Sequence, residues 1–297
     1  MNVFFITDLH ISATPPSSRK DDFLSSVCGK VSYVTSLMEP DDWMIFGGDV
    51  FNTSSVPENA VNSLLEALPA NVATIVGNHD MNRRSRYGFN STSLSLLINS
   101  GRIRHLTKHP MVFHGLNLVG YDYNDDISLA DVSGNIVVAH KFICRDDTLY
   151  DKSEIWSYAD IERQKPHLIL SGHDHVPYDG VICGDSRIIR PGALSRGTVH
   201  QYNRERDVFA VRLSVVDGEI SPLMIRVPCL SPDEVFYTKN DDTQEVDRIS
   251  LTDFLKSATS AAEFGTIDLH AIVSAMNLAD DERETLNHYA ARYGVIL

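Results

Sequence analysis

Val3-Phe4-Phe5-Ile6-Thr7-Asp8-Leu9-His10 sets an apolar run directly against a carboxylate and an imidazole two residues apart. The run has the length of a strand rather than a helix. It shows no alternation of polar and apolar residues, so it reads as a strand covered on both faces. The arrangement recurs four times. Met44-Ile45-Phe46 leads into Gly47-Gly48-Asp49, Thr74-Ile75-Val76 into Gly77-Asn78-His79-Asp80, Val137-Val138-Ala139 into His140, and Leu168-Ile169-Leu170 into Gly172-His173-Asp174-His175.

The intervals between these runs read as helices. Asp22 to Met38 places Phe23, Val27, Val31, Val34 and Leu37 close to a helical period, and Pro57 to Leu68 opens on a proline suited to a first turn before Val61, Leu64, Leu65 and Leu68. Ser93 to Ile98 is a shorter apolar stretch closed by Gly101, and Leu116 to Gly120 is a further strand. Strand, turn and helix in repetition are the pattern of an α/β protein. Open α/β sheets place their sites at the carboxyl ends of strands, so the polar residues ending the five runs are expected to converge.

After His175 the pattern changes. Val208 to Val216 and Glu219 to Val227 alternate around Asp217-Gly218, a hairpin signal, and a second sheet is expected there. Pro228 to Asp247 is rich in Pro, Asp and Asn and is the expected boundary, dividing a main domain (1–235) from a helical tail (236–297). Within the tail, Ser250 with Asp253 resembles a capping box. Leu269/Ile272/Val273/Met276 and Leu286/Tyr289/Ala290/Tyr293 form apolar stripes that either pack on the main domain or face a partner.

Composition bounds the function. With 297 residues, 43% of them hydrophobic, the chain can bury a full core. The opening segment has no basic leader or cleavage site, and no apolar stretch approaches the roughly 20 residues of a membrane helix. A soluble cytoplasmic protein without membrane contact is expected. Cys28, Cys144, Cys183 and Cys229 form no Cys-x-x-Cys pair and read as reduced thiols. A net charge of -14 excludes a protein that coats nucleic acid by electrostatics alone. Half of it lies from Asp241 to Leu297, which hold 11 acidic and 4 basic residues, so the main domain is less acidic than the total suggests.

Asp and His without Cys suit hard or borderline divalent ions and not a structural zinc, and Mn²⁺ fits such mixed oxygen and nitrogen ligands. Two ions about 3.5–4 Å apart would clamp a phosphate and lower the pKa of a bound water. The chemistry implied is phosphate ester hydrolysis.

From Asp8 to His175 the order Asp-x-His, Gly-Asp, Gly-Asn-His-Asp, His, Gly-His-x-His resembles the calcineurin-type metallophosphoesterase superfamily. The resemblance implies an α/β fold in which a two-sheet β-sandwich is flanked by helices (αββα), here with a small helical C-terminal appendage. It implies two Mn²⁺, with Mg²⁺ or another divalent ion as the alternative. The first metal would take Asp8, His10 and His175, the second Asn78, His140 and His173, and Asp49 would bridge them. His79 would leave the metals alone and donate a proton or hydrogen bond to the phosphate or leaving oxygen, with Asp80 holding its ring. Many members continue Gly-Asp-x-x with Asp or His, whereas Gly48-Asp49-Val50-Phe51 is followed by Asn52.

Within the superfamily, roughly the first 235 residues are most similar to SbcD-type DNA repair nucleases. Gly-Asn-His-Asp is followed by Arg83-Arg84-Ser85-Arg86, and Arg190-Pro191-Gly192-Ala193-Leu194-Ser195-Arg196 resembles the Pro-Gly-Ser-x-x-Arg segment of that group. This implies DNA as substrate, an SbcC-type coiled-coil ATPase as partner, and a homodimer through helices near Pro57 to Leu68 and Ser93 to Ile98. Arg83, Arg84, Arg86 and Arg196, with Arg204 and Arg206, are candidate contacts to the DNA backbone. Tyr87, Phe89 and Tyr202 stack on bases or pack in the core. The alternatives are a phosphatase or cyclic-nucleotide phosphodiesterase acting on small molecules, which the acidic charge favours, and an interaction subunit with a vestigial metal site.

Overall fold

Strand β1 (Asn2–Ile6) explains its own apolar run: Val3 and Phe5 point into a core between two sheets, while Phe4 and Ile6 point into a second core under helices. Neither face meets water, so no polar alternation is needed. Helix α1 (Phe23–Ser36) leads to β2 (Trp43–Phe46), α2 (Glu58–Ala67) to β3 (Val72–Thr74), and α3 (Ser93–Asn99) to β4 (Arg104–His105). These four strands run parallel. Asp22 caps α1 by accepting from Ser25 N at 3.0 Å, and Thr92 caps α3 by accepting from Ser95 N at 3.2 Å. Val27, Val31 and Val34 of α1, Leu64 of α2, and Leu94 and Leu97 of α3 cover the outer face of this sheet.

The chain then crosses to the other layer. β5 (Met111–Phe113), β6 (Leu116–Tyr121) and β7 (Ile136–His140) are followed by a separate pair, β8 (Phe142–Cys144) and β9 (Ile155–Ser157), and by α4 (Tyr158–Gln164). β10 (Leu168–Gly172), β11 (Tyr178–Cys183) and β12 (Ser186–Arg190) complete a sheet of order β11-β12-β10-β7-β6-β5. Its inner face contributes Leu118, Ile136, Val138, Leu168 and Leu170 to the core shared with Val3, Phe5 and Ile45. Its outer face packs Val137, Ala139 and Ile169 against Trp156 and Ile161. The result is two mixed sheets between helical layers.

After α5 (Gln201–Glu205), β13 (Val208–Val216) and β14 (Glu219–Val227) form the expected antiparallel hairpin, from Val208↔Val227 to Val216↔Glu219. The hairpin does not build a second sheet. It joins the first, β13 lying antiparallel to β1 from Asn2↔Ser214 to Phe5↔Val211. The reason is its alternation: Val211 and Leu213 enter the core between the sheets, while Val208, Ala210 and Val227 enter the one under the helices. The second sheet comes instead from strands between residues 111 and 190. A short helix, α6 (Pro232–Val235), ends the layered part.

The computed structural model describes residues 2–82, 87–113, 115–126, 135–144, 155–197, 201–216 and 219–237. Described residues up to Phe236 belong to one compact unit. The helical reading of the tail falls, from residue 238 onward, outside the described residues. Among those described, no helix is long and apolar enough to cross a membrane. None of the four cysteines is joined in a disulfide.

Candidate metal centre

Five strand ends meet at one place, and they come from both sheets. β1, β2 and β3 deliver Asp8, His10, Asp49, Asn78 and His79, and β7 and β10 deliver His140, His173 and His175. Parallel pairing, of β1 with β2 and β2 with β3, and of β7 with β10, brings the carboxyl ends within each layer to one edge.

The side chains fall into two neighbouring sets. Asp8, His10 and His175 offer ligand atoms lying within 4.8 Å of one another, and so do Asp49, His140 and His173. Asp49 Oδ2 stands between the sets, 3.7 Å from His10 Nε2 and 3.4 Å from His140 Nε2. Asp8 Oδ1 lies 3.5 Å from His175 Nε2, the His10 and His175 Nε2 atoms are 3.2 Å apart, and Asn78 Oδ1 lies 3.1 Å from His140 Nε2. His10, Asp49 and His79 form a third group, with the His79 ring edge-on to His10 at 4.7 Å and reaching solvent.

Whether this donor set suits a cation is decided by two orphaned atoms. Asp8 Oδ1 and His173 Nε2 are buried and have no hydrogen-bond partner. Leaving such groups unpaired costs about 1–3 kcal/mol each, more when the group is charged. A divalent cation between the two sets would supply the missing partner for both, so the residues fit the group. Held there, divalent ions would polarise a phosphate ester and lower the pKa of a water.

Electrostatics match that fit. Burial works to raise Asp8, yet the neighbouring His175, 3.5 Å from Oδ1, and the charges of His140 and His10 hold it well below the usual carboxylate range. Asp49 is likewise lowered to about 2 against burial, chiefly by His140, whose own ring is pushed up to about 9 by Asp49 despite its burial. His10 and His173 are lowered to about 4 and about 3, first by burial, and are neutral acceptors at pH 7.

Backbone geometry concentrates strain here. Of five residues other than glycine with positive φ among those described, four are Asp8 (53°), His10 (47°), Asp49 (49°) and His173 (77°). Such conformations persist only where surrounding contacts over-determine them. Asp8 N and His10 N donate to Gly48 O and Asp49 O at 3.2 and 3.0 Å, and His173 N donates to Asp8 Oδ2 at 3.1 Å. Glycines make the close approach possible. A Cβ at Gly77 would collide with Asp49 Oδ1, and one at Gly48 would meet His140 Nδ1 at 2.5 Å.

Several supporting residues carry no sequence signal of their own. Thr7 Oγ1 donates to Asp8 Oδ2 at 2.6 Å, and Gly47 O receives His140 Nδ1 at 2.7 Å, which leaves His140 Nε2 as the ligand atom. Phe142 lies 4.1 Å from the His173 ring, and Tyr123 meets it edge-on at 5.4 Å.

Two sequence expectations are corrected. Asp80 does not hold the His79 ring: its carboxylate accepts from the backbone of Val50, Phe51 and Gly77 at 3.3, 3.0 and 3.0 Å, tying the Asp49 loop to the Asn78 loop. The His79 ring is held by Asn52 O, 2.8 Å from Nδ1. Arg196 does not line an open groove. It is 2% exposed and donates to Arg204 O at 3.0 Å and Leu230 O at 2.5 Å, with its guanidinium 5.8 Å from the Phe236 ring. Arg206, also buried, donates to Ser195 O, and Arg204 pairs with Asp233 at 3.7 Å. Arg206 thereby holds an irregular segment that braces the site: Leu194 N donates to Thr7 O at 2.9 Å and Ser195 Oγ to Asp8 O at 3.1 Å. Arg83, Arg84 and Arg86 lie outside the described residues.

A family model for calcineurin-like phosphoesterases matches residues 1–177, the span that holds every residue of both sets. The chain belongs to that family. This phosphoesterase is therefore a metal-dependent hydrolase of phosphate esters. A search of curated proteins found no match. Solved structures similar to this phosphoesterase include a conserved uncharacterized protein (predicted phosphoesterase) from Streptococcus pneumoniae, at 14% identity and TM-score 0.38 over 80% of this chain and 93% of that one. A 5'-nucleotidase precursor from Thermus thermophilus gives 10% identity and TM-score 0.46 over 88% and 59%. Vacuolar protein sorting 29 from Cryptosporidium parvum gives 11% and 0.33 over 76% and 96%.

Proposed function

We propose that this phosphoesterase is a Mn²⁺-dependent DNA nuclease of the SbcD type, cleaving phosphodiester bonds in DNA end processing or repair. Seven side chains, Asp8, His10, Asp49, Asn78, His140, His173 and His175, hold two ions in this reading, with Asp49 shared between them. His79 donates to the leaving oxygen. The observation that carries hydrolysis is the placement of His79: its Nδ1 donates to Asn52 O, and a ring nitrogen lies within 4.8 Å of the ligand atoms of His10 and Asp49.

What favours DNA over a small ester is the basic run Arg83-Arg84-Ser85-Arg86 directly after the His79 loop. An SbcC-type coiled-coil ATPase as partner, a homodimer through α2 and α3, and a cytoplasmic location belong to the same reading. A second reading, a phosphatase or cyclic-nucleotide phosphodiesterase acting on small molecules, is favoured by the net charge of -14 and by the internal engagement of Arg196, Arg204 and Arg206. Side-by-side Mn²⁺-dependent turnover of duplex DNA, single-stranded DNA and bis(p-nitrophenyl) phosphate separates them. Cleavage of DNA supports the nuclease. Turnover of the aryl ester with intact DNA supports the second reading.

A further inference from the structure

The loop that carries Asn78 and His79 has a second side. Val76 and Met81, at its two ends, turn away from the metal centre and wall a cavity of about 280 Å³ whose lining includes Phe89, Asn90, His105 and Asp122. Asp122 and Tyr123 divide the same way. The Asp122 carboxylate faces the cavity, while the Tyr123 ring meets His173 and His140 at 5.4 and 6.3 Å. Cavity and metal centre thus share one wall.

The lining has the form of a site for a flat heteroaromatic ring. Val76 and Met81 are buried, and Phe89 is partly buried against the same core, giving apolar faces on which a ring stacks. Polar groups are few and fixed. Asp122 Oδ1 accepts from Val76 N at 2.8 Å and lies 3.1 Å from His105 Nε2, so the imidazole is oriented with Nε2–H toward the carboxylate and Nδ1 available as an acceptor. Asn90, exposed at the mouth, adds an amide that both donates and accepts. An apolar slot with a few oriented polar groups is the usual construction of a small-molecule site, and the volume lies just under the ~300–1,000 Å³ common for one. It admits one ring system and not a dinucleotide.

Resting on the phosphodiester-hydrolysis reading above, we infer that this cavity holds a nucleobase of the substrate beside the scissile phosphate. The base comes either from a DNA end or from a free nucleotide. Three substrates with Mn²⁺ separate the possibilities: bis(p-nitrophenyl) phosphate, thymidine 5'-(p-nitrophenyl) phosphate and a single-stranded deoxyoligonucleotide. Phe89→Ala and His105→Ala should raise KM about tenfold or more for a base-bearing substrate, leave its kcat little changed, and leave bis(p-nitrophenyl) phosphate turnover unchanged. Loss confined to the oligonucleotide names DNA as the source, and loss on the nucleoside ester names the free nucleotide. Equal loss on all three substrates, or none on either base-bearing one, overturns the assignment.

Asn90→Trp, an exposed position, blocks the mouth without touching the core and should reproduce the KM effect. Saturation-transfer NMR with deoxyadenosine and metal-free protein reads the cavity without turnover. Transfer to the base protons that Asn90→Trp abolishes supports the pocket even if no diester is hydrolysed, which would sink only the activity reading. No transfer, or transfer unchanged in Asn90→Trp, removes the pocket.

Discussion

His79 Nδ1 lies 2.8 Å from the carbonyl oxygen of Asn52. A carbonyl only accepts, so Nδ1 carries a proton, and in the proposed role of donor to the leaving oxygen Nε2 must carry one as well. The backbone of Asn52, rather than the Asp80 side chain, fixes the ring.

Replacing that ring while keeping the loop should separate chemistry from metal binding. In His79→Asn, kcat is expected to fall about 10²- to 10⁴-fold, the usual contribution of a positioned acid or base. Metal content measured by atomic emission should match the wild type. Asp80→Asn should behave differently, because one of the oxygens that accept from Val50, Phe51 and Gly77 becomes a donor. A stability loss of about 1–3 kcal/mol in urea unfolding is expected.

Gly77→Ala tests the close approach at the bridging carboxylate. Its methyl group would occupy the place of Asp49 Oδ1, so the carboxylate must move away from His10 and His140. Mn²⁺ affinity by calorimetry should drop at least tenfold, with secondary structure by circular dichroism retained.

The arginines should divide into two classes. Arg196→Ala removes buried bonds to Arg204 O and Leu230 O and should cost about 2–4 kcal/mol of stability without changing the salt dependence of DNA binding. Arg83→Ala, Arg84→Ala and Arg86→Ala together should weaken DNA binding and flatten its slope against salt, with stability unchanged. A flattened slope in the Arg196 variant would return that residue to the DNA surface.

Metal loading should release protons. His140 is pushed up to about 9 in the metal-free protein, above its unfolded value of 6.5, chiefly by Asp49 acting against burial. Its contribution to metal-free stability is therefore fully present below about 6.5 and lost as pH rises through about 9. A ligand nitrogen must be deprotonated, so Mn²⁺ affinity should rise with pH across that window, by up to about tenfold per unit for one proton. The stabilisation that Mn²⁺ gives, read as the shift in Tm, should grow from pH 6.5 to 9.

The sequence made the site more legible than the sheets. Asp8, Asp49 and His140 each end an apolar run, and a strand buried on both faces leaves that pattern in one dimension. Runs alone do not say which layer a strand joins. β13 and β14 read as a hairpin, but their place beside β1 rests on the free edge of β1 and on two cores, neither written locally. The fate of Arg196 is hidden for the same reason, since its partner Leu230 O and its neighbour Phe236 lie more than thirty positions away. The resemblance assigns Asp80 to the His79 ring, whereas its oxygens turn back to the backbone of Val50 and Phe51, about thirty positions away and not written locally.

Anomalous diffraction from Mn²⁺-soaked crystals bears most directly on the two-ion centre. Two peaks about 3.5–4 Å apart are expected, one beside Asp8, His10 and His175, the other beside Asn78, His140 and His173, with Asp49 touching both. A single peak away from these side chains, or none at saturating Mn²⁺, would contradict it.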